Sequence, residues 1–151
     1  MSFLYKKFRP RPRKPGKKRI PSPYKRAYVL LWAVTSIYVR TRGGRRNGGR
    51  CEICNTKPIQ CAYHFIAGRW AAIHFHLDNL CAACSGCNLA EMLNRHGPHD
   101  DKVRAAHVRL VGEDRVRWLE EHKRDPWKKS AAELLDLKRG IETKLSNGDY
   151  A

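Results

Sequence analysis

The sequence predicts a small α+β protein in which helices flank a ββα-metal unit, and three observations predict it. Two C-x-x-C pairs, Cys51-Cys54 and Cys84-Cys87, stand a few dozen residues apart. In such an arrangement each pair sits on a tight turn and grips one side of a tetrahedral zinc ion. An apolar pattern of helical period precedes the first pair, and a capping box opens a last helix after the second. A chain of 151 residues has room for one domain and a tail, or for two very small units. Its composition divides it into a basic arm at 1–26, a zinc domain with its leading helix at 27–123, and a C-terminal helix at 124–151.

Residues 1–26 contain eleven Lys or Arg, five Pro and no acid. Such a segment buries too little apolar surface to offset its ordering entropy, so it reads as a disordered arm that contacts phosphates. The formal net charge of +17 repels itself and calls for a polyanionic partner, nucleic acid first. No apolar run reaches the roughly 18 residues of a membrane span, and the N-terminus is too basic and proline-rich for a secretion signal. The expectation is a soluble, intracellular protein without membrane contact. With no secretion signal, six cysteines in C-x-x-C spacing point to metal rather than to disulfides.

From Tyr24 to about Thr41, Ala27, Leu30, Leu31, Val34, Ile37 and Tyr38 fall at i, i+3, i+4, i+7 spacing, which predicts a core helix. Ser22 and Pro23 are its N-cap and first turn, and Gly43-Gly44 its stop. Residues 43–50 then read as a flexible basic linker. Cys51 to Cys54 is expected on a turn between short strands, His64 on or just after a strand, and residues 71–79 as a second strand or a loop. Cys84 to about Asn94 reads as a helix whose first turn carries the second cysteine pair. Residues 102–123 are helical with a break at Gly112, and Ser130-Ala-Ala-Glu133 caps the final helix. Trp118 and Trp127 read as packing residues.

Cys51, Cys54, Cys84 and Cys87 are the expected ligands of a structural zinc. Cys81 forms an overlapping pair with Cys84, and Cys61 is also spare; both read as buried small hydrophobes, with a second metal as the alternative. His64, then Asn79 five residues before Cys84, then Asn88 directly after Cys87, have the order of an HNH nuclease centre. Phosphodiester hydrolysis needs a base to activate water and a cation to stabilise charge on the phosphate. A neutral imidazole suits the base, which makes His64 the candidate. Asn79 would orient that ring or brace its loop, and Asn88 would offer an oxygen to a hard cation, Mg²⁺ or Mn²⁺. His74 and His76 would share a face if their segment were a strand. Arg40, Arg42, Arg45, Arg46 and Arg50 are candidates for phosphate contact.

The stretch from Leu30 to Glu121 resembles the phage NinG family, also called Rap, of recombination endonucleases. The matching pieces are Ser36-Ile-Tyr-Val-Arg-Thr-Arg42, Cys51-x-x-Cys54, Tyr63-His64-Phe65 with a following Arg69, Asn79, Cys84-x-x-Cys87-Asn88, Asn94, and Val111-Gly-Glu-Asp-Arg-Val116. The resemblance implies an HNH-like, treble-clef zinc fold and cleavage of branched DNA such as Holliday junctions or D-loops. It also implies a phage-encoded protein in the host cytoplasm. It carries His64, Asn79, Asn88 and Asn94 over as site candidates, Asn94 beside Asn88 at the catalytic cation, and adds Arg69 to the DNA contacts. Two features depart from it: Tyr63 stands where many HNH nucleases place a metal-binding Asp, and the basic arm lies outside the match. Asp78, Asp100 or Asp101 would have to supply the missing carboxylate. Symmetric junction cutting would suit a homodimer. The rival from another class is a non-catalytic, zinc-stabilised DNA- or RNA-binding protein, which has no use for His64. A weaker third is a zinc-bearing regulator with a protein partner.

Overall fold

The computed structural model describes residues 20–67, 72–93 and 98–150, without the side chains of 91–93 and 98–100. Residues 1–19 of the expected arm lie outside the described residues. The end of that arm is not unstructured, because helix α1 (Pro23–Arg46) has already begun there. Among the described residues the protein is α+β, with five helices and one two-stranded sheet.

Helix α1 starts as its cap predicts. The Ser22 hydroxyl accepts the Lys25 N–H at 3.2 Å, and Pro23 fills the first turn, where its missing N–H costs nothing. The buried face carries Ala27, Leu31, Val34, Thr35, Tyr38 and Val39. Leu30 and Ile37, expected on that face, are each 48% exposed. Leu31 and Tyr38, seven residues apart, define the centre line of the contact, and their predecessors in sequence fall on its solvent edge.

The helix also runs through its expected stop. Gly43 stays helical because β2 lies directly against it: a Cβ there would fall 2.4 Å from the Ala82 Cβ and 3.0 Å from the Glu52 carboxylate. The linker expected over 43–50 is therefore corrected to a last helical turn followed by a tight reversal. Gly48 and Gly49 make that reversal at φ +58° and +76°, ahead of an isolated bridge between Arg50 and Pro58. Gly43→Ala is expected to lower unfolding free energy by about 1–3 kcal/mol, the range for overpacking a filled contact. Urea denaturation checks this, with Gly44→Ala as the control, since nothing lies within 4 Å of a Cβ at Gly44.

Strands β1 (Cys61–His64) and β2 (Leu80–Ala83) pair antiparallel, with Cys61 opposite Ala83 and His64 opposite Leu80. Their alternation sorts the chain into layers. Ala62, Leu80 and Ala82 join the cluster formed with α1 and α5, while Tyr63, Cys81 and Ala83 join Cys51, Cys84 and Val103 on the other face. Between the strands, residues 72–75 are turns and Leu77–Asn79 a single 3₁₀ turn, so the strand-or-loop segment is a loop.

Helix α2 (Ser85–Leu93) follows at once, its Ser85 N–H satisfied by the Gln60 side chain at 2.9 Å. Helices α3 (Pro98–Val111) and α4 (Glu113–His122) break at Gly112, whose φ of +88° few other residues tolerate. Helix α5 (Ala131–Asn147) has both halves of its capping box, Ser130 Oγ to Glu133 N–H and Glu133 carboxylate to Ser130 N–H. It buries Leu134 and Ile141 against α1, so the terminal helix belongs to the same core as the first. Trp127 packs on Phe75 in this layer and donates its indole N–H to the Tyr24 hydroxyl at 3.0 Å, as a packing residue should. No described helix is long and apolar enough to cross a membrane.

Candidate functional site

The turn after α1 and the start of α2 bring the two cysteine pairs together. The Sγ atoms of Cys51, Cys54, Cys84 and Cys87 all lie within 4.8 Å of one another, and Cys54 and Cys84 are 3.9 Å apart. A tetrahedral zinc with bonds of about 2.3 Å separates its sulfurs by roughly 3.8 Å, so the donor set fits that ion. Its electrostatics make the same point. Burial raises the pKa of Cys51, and burial together with the neighbouring thiols raises that of Cys87, because several thiolates this close cannot ionise together without a cation. Burial opposes ionisation at Cys54 as well, but bonds from the Thr56 hydroxyl and the Thr56 and Lys57 backbone outweigh it and bring its pKa to about 6.

The spare cysteines behave as small hydrophobes. Cys81 is fully buried with its pKa pushed well above the usual thiol value by burial, and Cys61 donates its S–H to the Ala83 carbonyl. Both lie on the hairpin rather than on the turns that converge.

His64 ends β1, and the alternation turns it to the α1 face. Its ring stacks between Trp32 and His74, with centroids 4.8 and 4.3 Å away. Nε2 lies 3.1 Å from the His74 carbonyl oxygen. A carbonyl only accepts, so Nε2 carries the proton and Nδ1 of the neutral ring keeps its lone pair. Burial, with His74 beside it, lowers the pKa to about 4, so the ring is neutral at pH 7.

Asn79 supplies the brace. Fully buried, it accepts the Ile66 N–H at 2.9 Å and donates to the carbonyls of Ile66 at 3.0 Å and Ile73 at 3.2 Å. It pins both ends of the loop that presents the His74 carbonyl to His64, and it makes no bond to the ring itself. Of its two expected roles, bracing is the one found. Asn88 lies on α2, its N–H bonded to the Cys84 carbonyl at 3.1 Å, and no hydrogen bond joins it to His64.

Several other expectations change. Arg42 is 2% exposed and donates to the Leu77 and Leu80 carbonyls, so it ties α1 to the hairpin and is not offered to a phosphate. Arg40, Arg45, Arg46 and Arg50 are exposed, although Arg45 lies over the Tyr150 ring and Arg46 reaches its carbonyl. Asn94 and Arg69 lie outside the described residues. His74 and His76 share no face: His74 stacks with His64 and Tyr28 and lies tilted against Trp32, whereas His76 meets Trp118 and the Arg115 guanidinium. Asp78 is held by Arg115 at 2.6 Å, and the side chain of Asp100 is not described.

Sequence reasoning passed over Glu52, whose carboxylate takes the Ala82 N–H at 2.6 Å at the open edge of β2. It also missed His107 on α3, fully buried and stacked on Phe65 at 4.4 Å. Among the described residues neither His107 ring nitrogen has a hydrogen-bond partner of normal geometry, and the Asp78 backbone favours its charged form only in part. Burial, with Arg42 adding to it, lowers the His107 pKa to about 4. Between its ordinary value of 6.5 and about 4 the unfolded chain binds a proton that the folded chain refuses. Stability is therefore intact above pH 6.5 and is lost as pH falls towards 4. For a group shifted that far, the loss at pH 5.5 is about 1.4 kcal/mol. Urea midpoints at pH 7.5 and 5.5 are expected to fall less far apart in His107→Leu than in the wild type. Equal pH dependence in both would show that His107 is not the source.

Fold and site together define an α+β protein with a four-cysteine centre that can hold a metal ion such as zinc. No protein-family model, no curated protein and no solved structure matches the chain.

Proposed function

We propose that this protein is a divalent-metal-dependent endonuclease of HNH type that hydrolyses DNA phosphodiester bonds, branched recombination intermediates first among them. The observation that carries this is the relay from Asn79 through the pinned loop and the His74 carbonyl to His64. It holds one neutral imidazole in the tautomer that leaves Nδ1 free to take a proton from water. A packing histidine needs no such brace behind the carbonyl that accepts its proton. The order of knuckle, hairpin and helix around the four cysteines is what a treble-clef, HNH-like unit would have, with zinc as its structural ion.

In this reading His64 is the base and Asn79 its positioning residue. Asn88 offers one oxygen to Mg²⁺ or Mn²⁺, and the substrate's phosphates and water fill its remaining positions. The cation stabilises negative charge on the phosphate and the departing oxygen. Affinity comes from the formal charge of +17 through phosphates, and branch preference from shape rather than from base edges. The resemblance to phage recombination endonucleases supports the choice of DNA.

The half-buried packing of His64 on Trp32 favours the rival, a zinc-stabilised protein that binds DNA or RNA without cutting it. A labelled four-way junction, a linear duplex and a single-stranded RNA, each incubated with Mg²⁺ or Mn²⁺, separate the two. Cleavage of the junction is expected. Binding without cleavage under either cation would replace the nuclease with the binding protein.

A further inference from the structure

On the face of the hairpin opposite His64, the cysteine turn, α2 and α3 enclose an open groove of about 580 Å³. Lys57, Lys102 and Arg109 line it, and among the described residues no carboxylate does. Other arginines of this half are neutralised: Arg104 pairs with Glu113 and Glu120, Arg115 with Asp78, and Arg117 with Asp114. Arg104 and Arg109 sit on the same helix, so acids answer one side of α3 and leave the groove side bare. Cys54, Cys84 and Cys87 of the cysteine centre close one end of it, with Ile53 and Thr56 beside them, and the small residues Gly86, Ala90 and Ala105 line the helical walls.

The three cations do not have one task. Lys57 stands at the cysteine centre, its Nζ 3.4 Å from where a Gly86 Cβ would lie. Four thiolates around a divalent ion would carry a net charge of −2, which Lys57 is placed to answer. Lys102 and Arg109 remain. Seven residues apart on a helix, they lie on one face with about 10 Å between them along the axis. At that spacing the two cations need not converge on one phosphate. A nucleic-acid strand, which presents a charge about every 3.4 Å of duplex axis, can engage each separately.

We propose that this groove is a phosphate-backbone track, in which Lys102 and Arg109 hold separate phosphates of one DNA strand on the face of the protein away from His64. It rests on the nucleic-acid part of the proposed function and is independent of whether His64 catalyses.

The test is fluorescence anisotropy with a labelled linear duplex, titrated over a range of salt without Mg²⁺ or Mn²⁺. The full-length wild type is compared with Lys102→Gln/Arg109→Gln and with Lys123→Gln/Lys128→Gln, which removes the same charge elsewhere. Zinc content is measured in all three. The groove variant is expected to keep its zinc and to lose about 1.8 from the slope of log K against log salt, since each phosphate contact contributes about 0.9. By the same relation its affinity near 0.1 M salt falls on the order of 50-fold, and the matched control loses less of both. A slope change no larger than the control's overturns the track. So does zinc loss in the groove variant, which would make these cations counter-charges of the thiolates. A wild type that ignores the duplex, yet binds poly-glutamate in a manner dependent on Lys102 and Arg109, also overturns it in favour of an acidic protein partner. A wild type that binds the duplex as expected and never cuts any substrate leaves the track standing and removes the nuclease reading alone.

Discussion

His64→Ala is expected to lower the rate of junction cleavage by about 10²- to 10⁴-fold while leaving zinc content and junction affinity nearly unchanged, the range for losing a positioned general base. The argument rests on geometry. With Nε2 committed to the His74 carbonyl, proton transfer can only run through Nδ1; His122 is also bonded to a carbonyl, through Nδ1 to that of Trp118 at 2.7 Å, but within its own helix and with no Asn brace behind it. His76 is engaged by Arg115, and His107 is sealed under Phe65. Alanine also empties the space between Trp32 and His74, so His64→Gln, which keeps most of the volume and cannot act as the base, is measured beside it. Two results would sink the assignment. One is cleavage by both variants at the wild-type rate; the other is a loss of activity that tracks a loss of zinc or of cooperative unfolding.

Removing the metal should have the larger effect on the fold. Structural zinc in small domains contributes on the order of 10–16 kcal/mol of folding free energy, comparable with or above the 5–15 kcal/mol that a whole domain has in hand. The cysteine half depends on it heavily. Its cluster is Ile53, Tyr63 and Val103 packed around sulfur, whereas α1 and α5 share Leu31, Tyr38, Leu134 and Ile141. One zinc per chain is expected in the purified protein, and a strong chelator is expected to abolish the cooperative melt of the hairpin and α2. Cys84→Ser should lose the zinc. Cys81→Ser and Cys61→Ser should retain it, because their sulfurs lie outside the converging set. A chelated protein with an unchanged melt, or zinc loss on Cys81→Ser, would refute the four-cysteine centre as drawn.

What the sequence allowed one to read follows from how local each signal is. Cysteine spacing, the Ser22 cap, the Gly112 break and the Ser130 capping box each depend on a few neighbouring residues, and each is found. Gly43 shows the limit. Glycine permits both a stop and a close approach, and only the position of Ala82, far along the chain, decides between them. Arg42 failed similarly. In a run of arginines it looked like one more phosphate contact, but helical rotation carries it into the core, where two carbonyls receive it. The alternation of His74 and His76 was meaningful only for a strand, and a turn removed the premise. Asn79 was legible as a brace, while its partners, the ends of the Ile66–Ile73 loop, were not.

The packing of α1 on α5 has a consequence for how the chain is made. The apolar face of α1 emerges from the ribosome ahead of its partners Leu134 and Ile141, which follow about a hundred residues later. At synthesis rates of about 5–20 residues per second, that face waits on the order of 5–20 s. The cysteine turns and hairpin are complete before then, so the metal-held half can assemble on the nascent chain while α1 still has only one of its two supports. Repulsion from the excess positive charge then guards the partly folded chain against self-association until α5 arrives.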